Sequence, residues 1–270
     1  MFKKLLKWFK RFFTKKPPKR VYGWKRDKVD NRDKVFKLSA PVEVPPKIDL
    51  SIIMSPAYDQ KSVGSCTGNS IAAAIEYNQI KQFKEYDFIS SRLFIYYNER
   101  DMEGTIMEDC GATIRDGIKV VNVFGVCKET FWPYDETKWM IKPTEAAYNE
   151  AILHRSIDYS RLNNTNLNEL KACLASGFPF VFGFQVYESF ERPETARSGI
   201  QSIPKPGEAC CGGHAVAAFG YDDEKQAFLI RNSWSPKWGI NGYFWMPYSY
   251  ITNPLLASDF WVIKSITPHD

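Results

Sequence analysis

Apolar positions fall into three regimes along the chain. Over residues 2–13 (FKKLLKWFKRFF), Phe2, Leu5, Leu6, Trp8, Phe9, Phe12 and Phe13 share one arc of a helical wheel, and Lys3, Lys4, Lys7, Lys10 and Arg11 take the other. That pattern predicts a basic amphipathic helix, ended by Pro17 and Pro18, which remove amide donors and restrict the residue before them. From Lys19 to about Lys47 the chain is polar, mixed in charge and closed by Pro41, Pro45 and Pro46, which reads as an extended arm without a core of its own. From Ile48 the composition turns globular. The alanine-rich stretch from Cys66 to about Lys81 predicts a buried helix that starts close to the cysteine, with Ile71, Ala74, Ile75 and Tyr77 as its apolar positions. Residues 88–97 and 112–124 also read as helices, with Gly104 and Gly125 as their stops. Beyond about residue 176 the pattern changes to short segments rich in aromatic and β-branched residues, at 180–187, 215–221, 227–231, 243–246 and 260–266. These predict strands. A helical first half and a sheet second half imply an α+β fold of two lobes packed side by side. The expected organisation is a basic helix over 1–20, an extended arm over 21–46 and one folded domain over 47–270.

Charge and cysteine placement sharpen this picture. The first 20 residues hold nine of the 36 basic side chains and no acidic ones, so the other 250 residues carry 27 positive charges against 31 negative. The basic character is local and gives the body no nucleic-acid-binding surface. No apolar run reaches the ~18 residues of a membrane-spanning helix, and the N-terminus, broken by lysines, lacks the apolar stretch of a secretory signal. A cytoplasmic or membrane-peripheral location is therefore favoured. The six cysteines form no CxxC pair, which leaves a zinc or redox framework unsupported and disulfides disfavoured. Acidic pairs such as Asp222-Asp223, and Glu99 with Asp101, lack a nearby motif and read as solvated turns.

One cysteine stands where chemistry is expected. Cys66 follows the turn-prone Gly64-Ser65 and opens the alanine-rich helix, where unpaired amides favour negative charge, so its thiol pKa should fall. A thiolate needs a proton-exchanging partner, and the chain has three histidines. His154 lies in a polar helical stretch and His269 one residue from the terminus. His214 follows two glycines that permit close backbone approach. Asn232-Ser233-Trp234 comes one hairpin later, and an Asn there can accept from one ring nitrogen and leave the other for the sulfur.

Together Gln60-Lys61-Ser62-Val63-Gly64-Ser65-Cys66, Gly213-His214-Ala215-Val216 and Asn232-Ser233-Trp234, with Trp238-Gly239 and Gly242-Tyr243, resemble the papain-like C1 cysteine peptidases, in particular their compact bacterial and viral branch. The resemblance runs from about Ile48 to Ile266. It implies a papain-like fold with a helical N-terminal lobe, an antiparallel β C-terminal lobe and an active-site cleft between them. It also implies Cys66 as nucleophile, His214 as general base and then acid, Asn232 as orienter of the imidazole, and Gln60 with the Cys66 amide as donors to the oxyanion. His214 follows Cys66 by 148 residues, within the ~130 to 150 of papain-type enzymes. Trp234 would shield the Asn–His hydrogen bond. Asp109-Cys110-Gly111-Ala112 resembles the segment that pairs with a substrate's backbone, which places Gly111 and Ala112 on the cleft wall. The base of the pocket for the substrate's second side chain should fall near residues 256–258, and an apolar pocket is the default. The chain departs from the family in having Val63 where a second cysteine is usual, leaving Cys110 without its expected disulfide partner. Thr67 and Ser235 also replace the usual residues.

The implied function is a cysteine endopeptidase that cuts peptides through a thioester, needs no metal or cofactor and acts as a monomer. Two alternatives stand beside it: a silent relative that binds peptides, and a module in which the basic helix over 1–20 meets an anionic membrane surface. The arm over 21–44 is expected either to fold back and block the cleft as a short pro-segment or to be a passive extension.

Overall fold

The computed structural model describes residues 20–38 and 41–267. The amphipathic helix expected over residues 2–13 lies outside them. Helix α1 (Cys66–Phe83) is the axis of the molecule: 15 of its 18 residues, from Cys66 through Ile80, are buried. Its small residues make this possible, since Ala72, Ala73 and Ala74 let neighbouring elements approach on several sides at once. Around it pack α2 (Arg92–Glu103) and α3 (Ile114–Val123), capped at their N-termini by the Ser91 and Thr113 hydroxyls, which accept from Phe94 N and Asp116 N. The glycine stops hold: Gly104 caps α2 in the left-handed conformation, and Gly125, just past the end of α3, also has positive φ. α1 begins at Cys66 as the pattern placed it, whereas α2 and α3 begin later, because the cap residue, not the first apolar residue, sets the start. Two further helices, α4 (Glu145–Ala151) and α5 (Leu167–Ala175), follow.

A seven-stranded sheet forms the second lobe, with β4 (Ser156–Arg161), β9 (Ala257–Ile266), β5 (Phe180–Tyr187), β6 (Cys210–Asp222), β7 (Ala227–Arg231) and β8 (Tyr243–Pro247) in that spatial order; β2 (Lys47–Asp49) pairs with the far end of β6. Its strand pairs are antiparallel. β5 and β7 match the sequence reading to the residue, whereas β4 and β2 lack a clean alternation of apolar residues and were not foreseen. One face of the sheet closes over Phe180, Phe182, Phe184, Phe228, Phe244 and Phe260, and the other packs Val181, Ala215, Ala217 and Phe219 against α1.

The arm does not stand free. Residues Trp24–Lys25 form a short strand, β1, parallel to β3 (Ala112–Thr113), with Trp24 opposite Ala112 and Lys25 opposite Thr113. Trp24 and Phe36 are buried in two different core clusters. The two acidic pairs depart from expectation in part, for Asp101 is exposed as expected. Asp222 is buried and pairs with Lys47 and Lys225, each at 3.3 Å, while Asp223 meets Lys171 at 2.7 Å. Glu99 is fully buried, because it sits on the inner face of α2 next to α1. The six cysteines are unbridged. His154 is buried behind α4, with Glu150 Oε1 at 2.9 Å and Gln79 Nε2 at 3.1 Å.

Candidate active site

Cys66 is the first residue of α1, and the turn before it is built from tied-down polar groups. Asn69 Nδ2 donates to Ser65 O (2.8 Å), Gly64 N donates to Asp109 (3.0 Å), and Tyr134 OH donates to Gln60 O (2.7 Å). Gln60 lies alongside, buried. Its Nε2 donates to Val63 O (3.0 Å), its Oε1 accepts from Ser233 Oγ (2.6 Å) and its backbone N–H donates to Ser233 O (2.9 Å). The glutamine therefore spans from the helix lobe to the loop after β7.

His214 stands on β6, opposite Phe184 of β5, and Asn232 directly follows β7. His214 Nε2 lies 2.9 Å from Asn232 Oδ1, which also accepts from Ser233 N at 2.8 Å. An amide oxygen accepts and never donates, so Nε2 carries the ring hydrogen and a neutral ring keeps its lone pair on Nδ1. Nδ1 is buried and has no hydrogen-bond partner. The amide of the next residue, Ala215, faces the Cys66 sulfur. Trp234 stacks on the imidazole with ring centroids 5.0 Å apart and is itself buried, which keeps water from the Asn–His hydrogen bond.

The expected fall in the thiol pKa is not what this state holds. Burial pushes Cys66 up to about 12, against the opposing pull of the Ala215, Gly23 and Thr67 amides, and it pushes His214 down to about 4. Burial therefore disfavours the charged form of each group in this state. The physical reason is the arm: its segment from Arg20 to Asp27 lies across the cleft and dries it. Arg20 sits 3.9 Å above the Trp234 ring, and the Tyr22 ring meets His214 edge-on at 6.3 Å. The Gly23 amide faces the sulfur, and the Gly23 carbonyl accepts from Ala112 N at 2.8 Å. A Cβ on Gly23 would fall 1.7 Å from Gly64 O, and one on Gly111 would fall 1.8 Å from Gly23 O, so the closest approach of arm and wall depends on both glycines.

Beyond Gly23 the contacts change character. Lys25 Nζ pairs with Glu103 at 2.9 Å and lies 3.0 Å from Cys110 Sγ, so Cys110 meets a lysine where the family resemblance implied a disulfide partner. Asp33 takes Arg115 at 2.6 Å and Arg161 at 3.0 Å. Asp27 accepts from Trp261 Nε1 (2.9 Å) and Arg115 N (3.2 Å), and burial together with the nearby Asp259 charge pushes its carboxyl up to about 6. Trp24 fills the pocket beside the sulfur. At its base lies Asp259, one residue past the stretch expected to form an apolar floor, and the carboxylate makes that floor polar.

The structure thus gathers Cys66, His214, Asn232, Gln60 and Trp234 at one end of the cleft and sets Gly111 and Ala112 on its wall. Sequence reasoning passed over Tyr22, Trp24 and Asp259, and read the buried Glu99 as part of a solvated turn. A lone tryptophan in a polar arm was the one available signal.

This architecture has relatives. The papain family cysteine protease pattern matches residues 44–257. An uncharacterised peptidase C1-like protein of Acanthamoeba polyphaga mimivirus is 44% identical over 275 aligned positions, covering 92% of this chain and 88% of that one. Xylellain, a cysteine protease from Xylella fastidiosa, is 44% identical and superposes with a TM-score of 0.85 over 93% of this chain and 98% of its own. The chain belongs to the papain family of cysteine proteases. A procathepsin B from Trypanosoma congolense, at 18% identity, shares the fold with a TM-score of 0.73 over 92% of this chain and 87% of its own. The papain-like reading of an α+β fold with helices in one lobe and antiparallel sheet in the other stands, as does the activity class: a cysteine peptidase, a hydrolase acting on peptides. Among the described residues no helix is long and apolar enough to cross a membrane.

Proposed function

We propose that Cys66 and His214 are the reacting pair of this peptidase and that the arm holds them in an inactive, uncharged state. With the cleft open, the Cys66 thiol gives its proton to His214 Nδ1 and the thiolate attacks the substrate carbonyl carbon. The oxyanion takes the Cys66 amide and the Gln60 side-chain amide as donors. Collapse breaks the C–N bond, the imidazolium protonates the leaving amine, and water then cleaves the thioester with His214 as base. Asn232 fixes the ring so that Nδ1 is the free nitrogen. The observation that carries this reading is the buried, unpartnered Nδ1 on a ring whose other nitrogen is committed to Asn232.

The arm supports its inhibitory role through its orientation. A substrate must present a carbonyl carbon to the sulfur, whereas the arm presents the Gly23 N–H, and its carbonyl is turned away to Ala112 N. It fills the cleft without offering a bond to cut. Residues 1–20 are read, from their charge and aromatic pattern, as a tether to anionic membrane surfaces. The enzyme is read as a monomer on the peripheral side of such a surface, and co-sedimentation with anionic vesicles checks the tether.

The decisive experiment replaces Cys66 by Ala or His214 by Ala. Each is expected to lower kcat/KM for a peptide substrate by several orders of magnitude with the circular dichroism spectrum unchanged, and Asn232→Ala by less. Near-normal turnover in a folded Cys66→Ala or His214→Ala chain would sink the assignment.

A further inference from the structure

Lys25 and Cys110 bring together two reactive groups that the peptidase chemistry does not use. The parallel pairing of β1 with β3 sets Lys25 of the arm opposite Thr113, where its Nζ lies 3.0 Å from Cys110 Sγ and 2.9 Å from Glu103 Oε2. Glu103 is fixed in turn, because its Oε1 accepts from Thr113 N at 2.7 Å. The Lys25 side chain is 35% exposed and Cys110 is partly buried, so a small oxidant in solvent reaches the pair.

Among the described residues, no other sulfur combines such access with a lysine in contact. Cys66, Cys127 and Cys173 are fully buried, and Cys173 Sγ lies against Phe178 O. Of the two exposed sulfurs, Cys210 meets Gln185 Oε1, whereas burial and the nearby Glu191 and Glu188 charges push the Cys211 thiol up. A partly exposed sulfur facing a cation is the setting in which cysteines react with oxidants. The amine that supplies this cation becomes a nucleophile once it gives up a proton, and the Glu103 carboxylate stands beside it to take that proton.

We propose that hydrogen peroxide joins Lys25 to Cys110 through an S–N bond, a reversible covalent latch that fixes the arm in the cleft. The Cys110 sulfur first attacks a peroxide oxygen and breaks the O–O bond. Sulfur loses an electron pair to the peroxide, Cys110 becomes a sulfenic acid, and water is released. The Lys25 amine, its extra proton passed to Glu103, then attacks that sulfur with its lone pair. The S–O bond breaks as the S–N bond forms, and hydroxide leaves with one amine proton as water. A thiol reductant undoes the latch by attacking the sulfur and expelling the amine. The bond ties positions 85 residues apart, one on the arm and one on the cleft wall. Its formation requires only the docked arm, and its effect on the cleft rests on the inhibitory reading given above.

The test uses the full chain carrying Cys66→Ala, which removes both the cleft thiol and self-cleavage. After treatment with hydrogen peroxide, digestion and mass spectrometry should find the Lys25 peptide joined to the Cys110 peptide, lighter than the separate peptides by two hydrogens, and dithiothreitol should part them. Lys25→Arg keeps the cation and Cys110→Ser keeps the size, and either change added to this chain should abolish the product. The latched chain should also bind a fluorescent peptide about tenfold more weakly than the same sample after dithiothreitol, because the cleft-open state is no longer populated. In the Lys25→Arg chain that difference should stay within about twofold. Cys110 recovered only as a sulfenic or sulfinic acid, or a cross-link of equal yield in the Lys25→Arg chain, overturns the proposal. A Lys25–Cys110 bond with unchanged peptide binding supports the latch and counts against the inhibitory role of the arm alone.

Discussion

The arm holds the two ends of the cleft by different physics. Over Cys66 and His214 the arm places the Gly23 amide and the Tyr22 ring, beside the body's own Trp234, with no acidic side chain bonded to either group, and burial disfavours the charged form of both. From Lys25 to Asp33 the arm is fastened by ion pairs to Glu103, Arg115 and Arg161. On the proposed reading, the first end suppresses chemistry by drying it. The second fixes position and register and is open to salt and pH.

Breaking the dry end should have the largest effect. Gly23 has no room for a side chain, with Gly64 O only 1.7 Å from where a Cβ would be. Gly23→Val in the full chain should therefore expel the arm from the thiol and raise the rate of Cys66 alkylation at pH 7 by about a hundredfold, the order expected if roughly 3 kcal/mol of arm contact is lost. The pH profile should move with it. The raised thiol favours the docked arm below the open-state thiol pKa, and this advantage is lost as pH rises toward about 12. The lowered imidazole acts at the other end, costing the docked state as pH falls from the ordinary histidine value toward about 4. In the Val variant both values should return toward ordinary ones, so alkylation reaches its plateau well below the wild-type pH. An unchanged profile would place the barrier elsewhere than in the arm.

Loosening the charged end should do less. Asp33→Asn removes its pairs with Arg115 at 2.6 Å and Arg161 at 3.0 Å, both partly buried, and should cost the docked arm about 2 kcal/mol, a factor of about 30 in its release. Wild-type release should also quicken with salt, and the Asn variant should have lost most of that salt dependence. Equal salt slopes for the two chains would show that the ion pairs do not hold the arm. Acid works through Asp27 in the opposite sense to His214. Its carboxyl, pushed up to about 6, favours the docked state at low pH and loses that contribution as pH rises through 6.

What was legible in the sequence follows the range of the interactions. Helix α1, strands β5 and β7 and the glycine stops depend on neighbours a few residues away, and the spacing of Cys66, His214 and Asn232 rests on motifs that survive as short strings. The contact of Trp24 with Asp259 did not show, because the two are 235 residues apart and meet only through a bulge that no local pattern marks. The thiol environment was misjudged for a related reason. A helix N-terminus is visible in a sequence, but the strand that comes to lie over it is not.

Glu99 gives the finest test of the division between dry and charged regions, because it is a carboxyl placed on the dry side. With Asp101 it read in the sequence as a solvated turn, yet it is fully buried on α2 behind the nucleophile's helix. Oε2 accepts from Thr67 Oγ1 at 2.7 Å, and Oε1 has no partner. Gly117 makes room for it, since a Cβ there would fall 2.1 Å from Oε1. Burial pushes this carboxyl up to about 8, so it is protonated at neutral pH and adds no charge beside the thiol. The sign follows. A folded value above the ordinary 4.5 means that its stabilising contribution is complete below pH 4.5 and is lost as pH rises through 8. Glu99→Gln keeps the shape and cannot ionise. It should melt with the wild type near pH 5, melt a few degrees higher above pH 8, and leave peptide hydrolysis at pH 7 within about twofold. Parallel melting curves from pH 5 to 9 would mean that Glu99 is charged in the folded protein and that the region behind Cys66 is not dry.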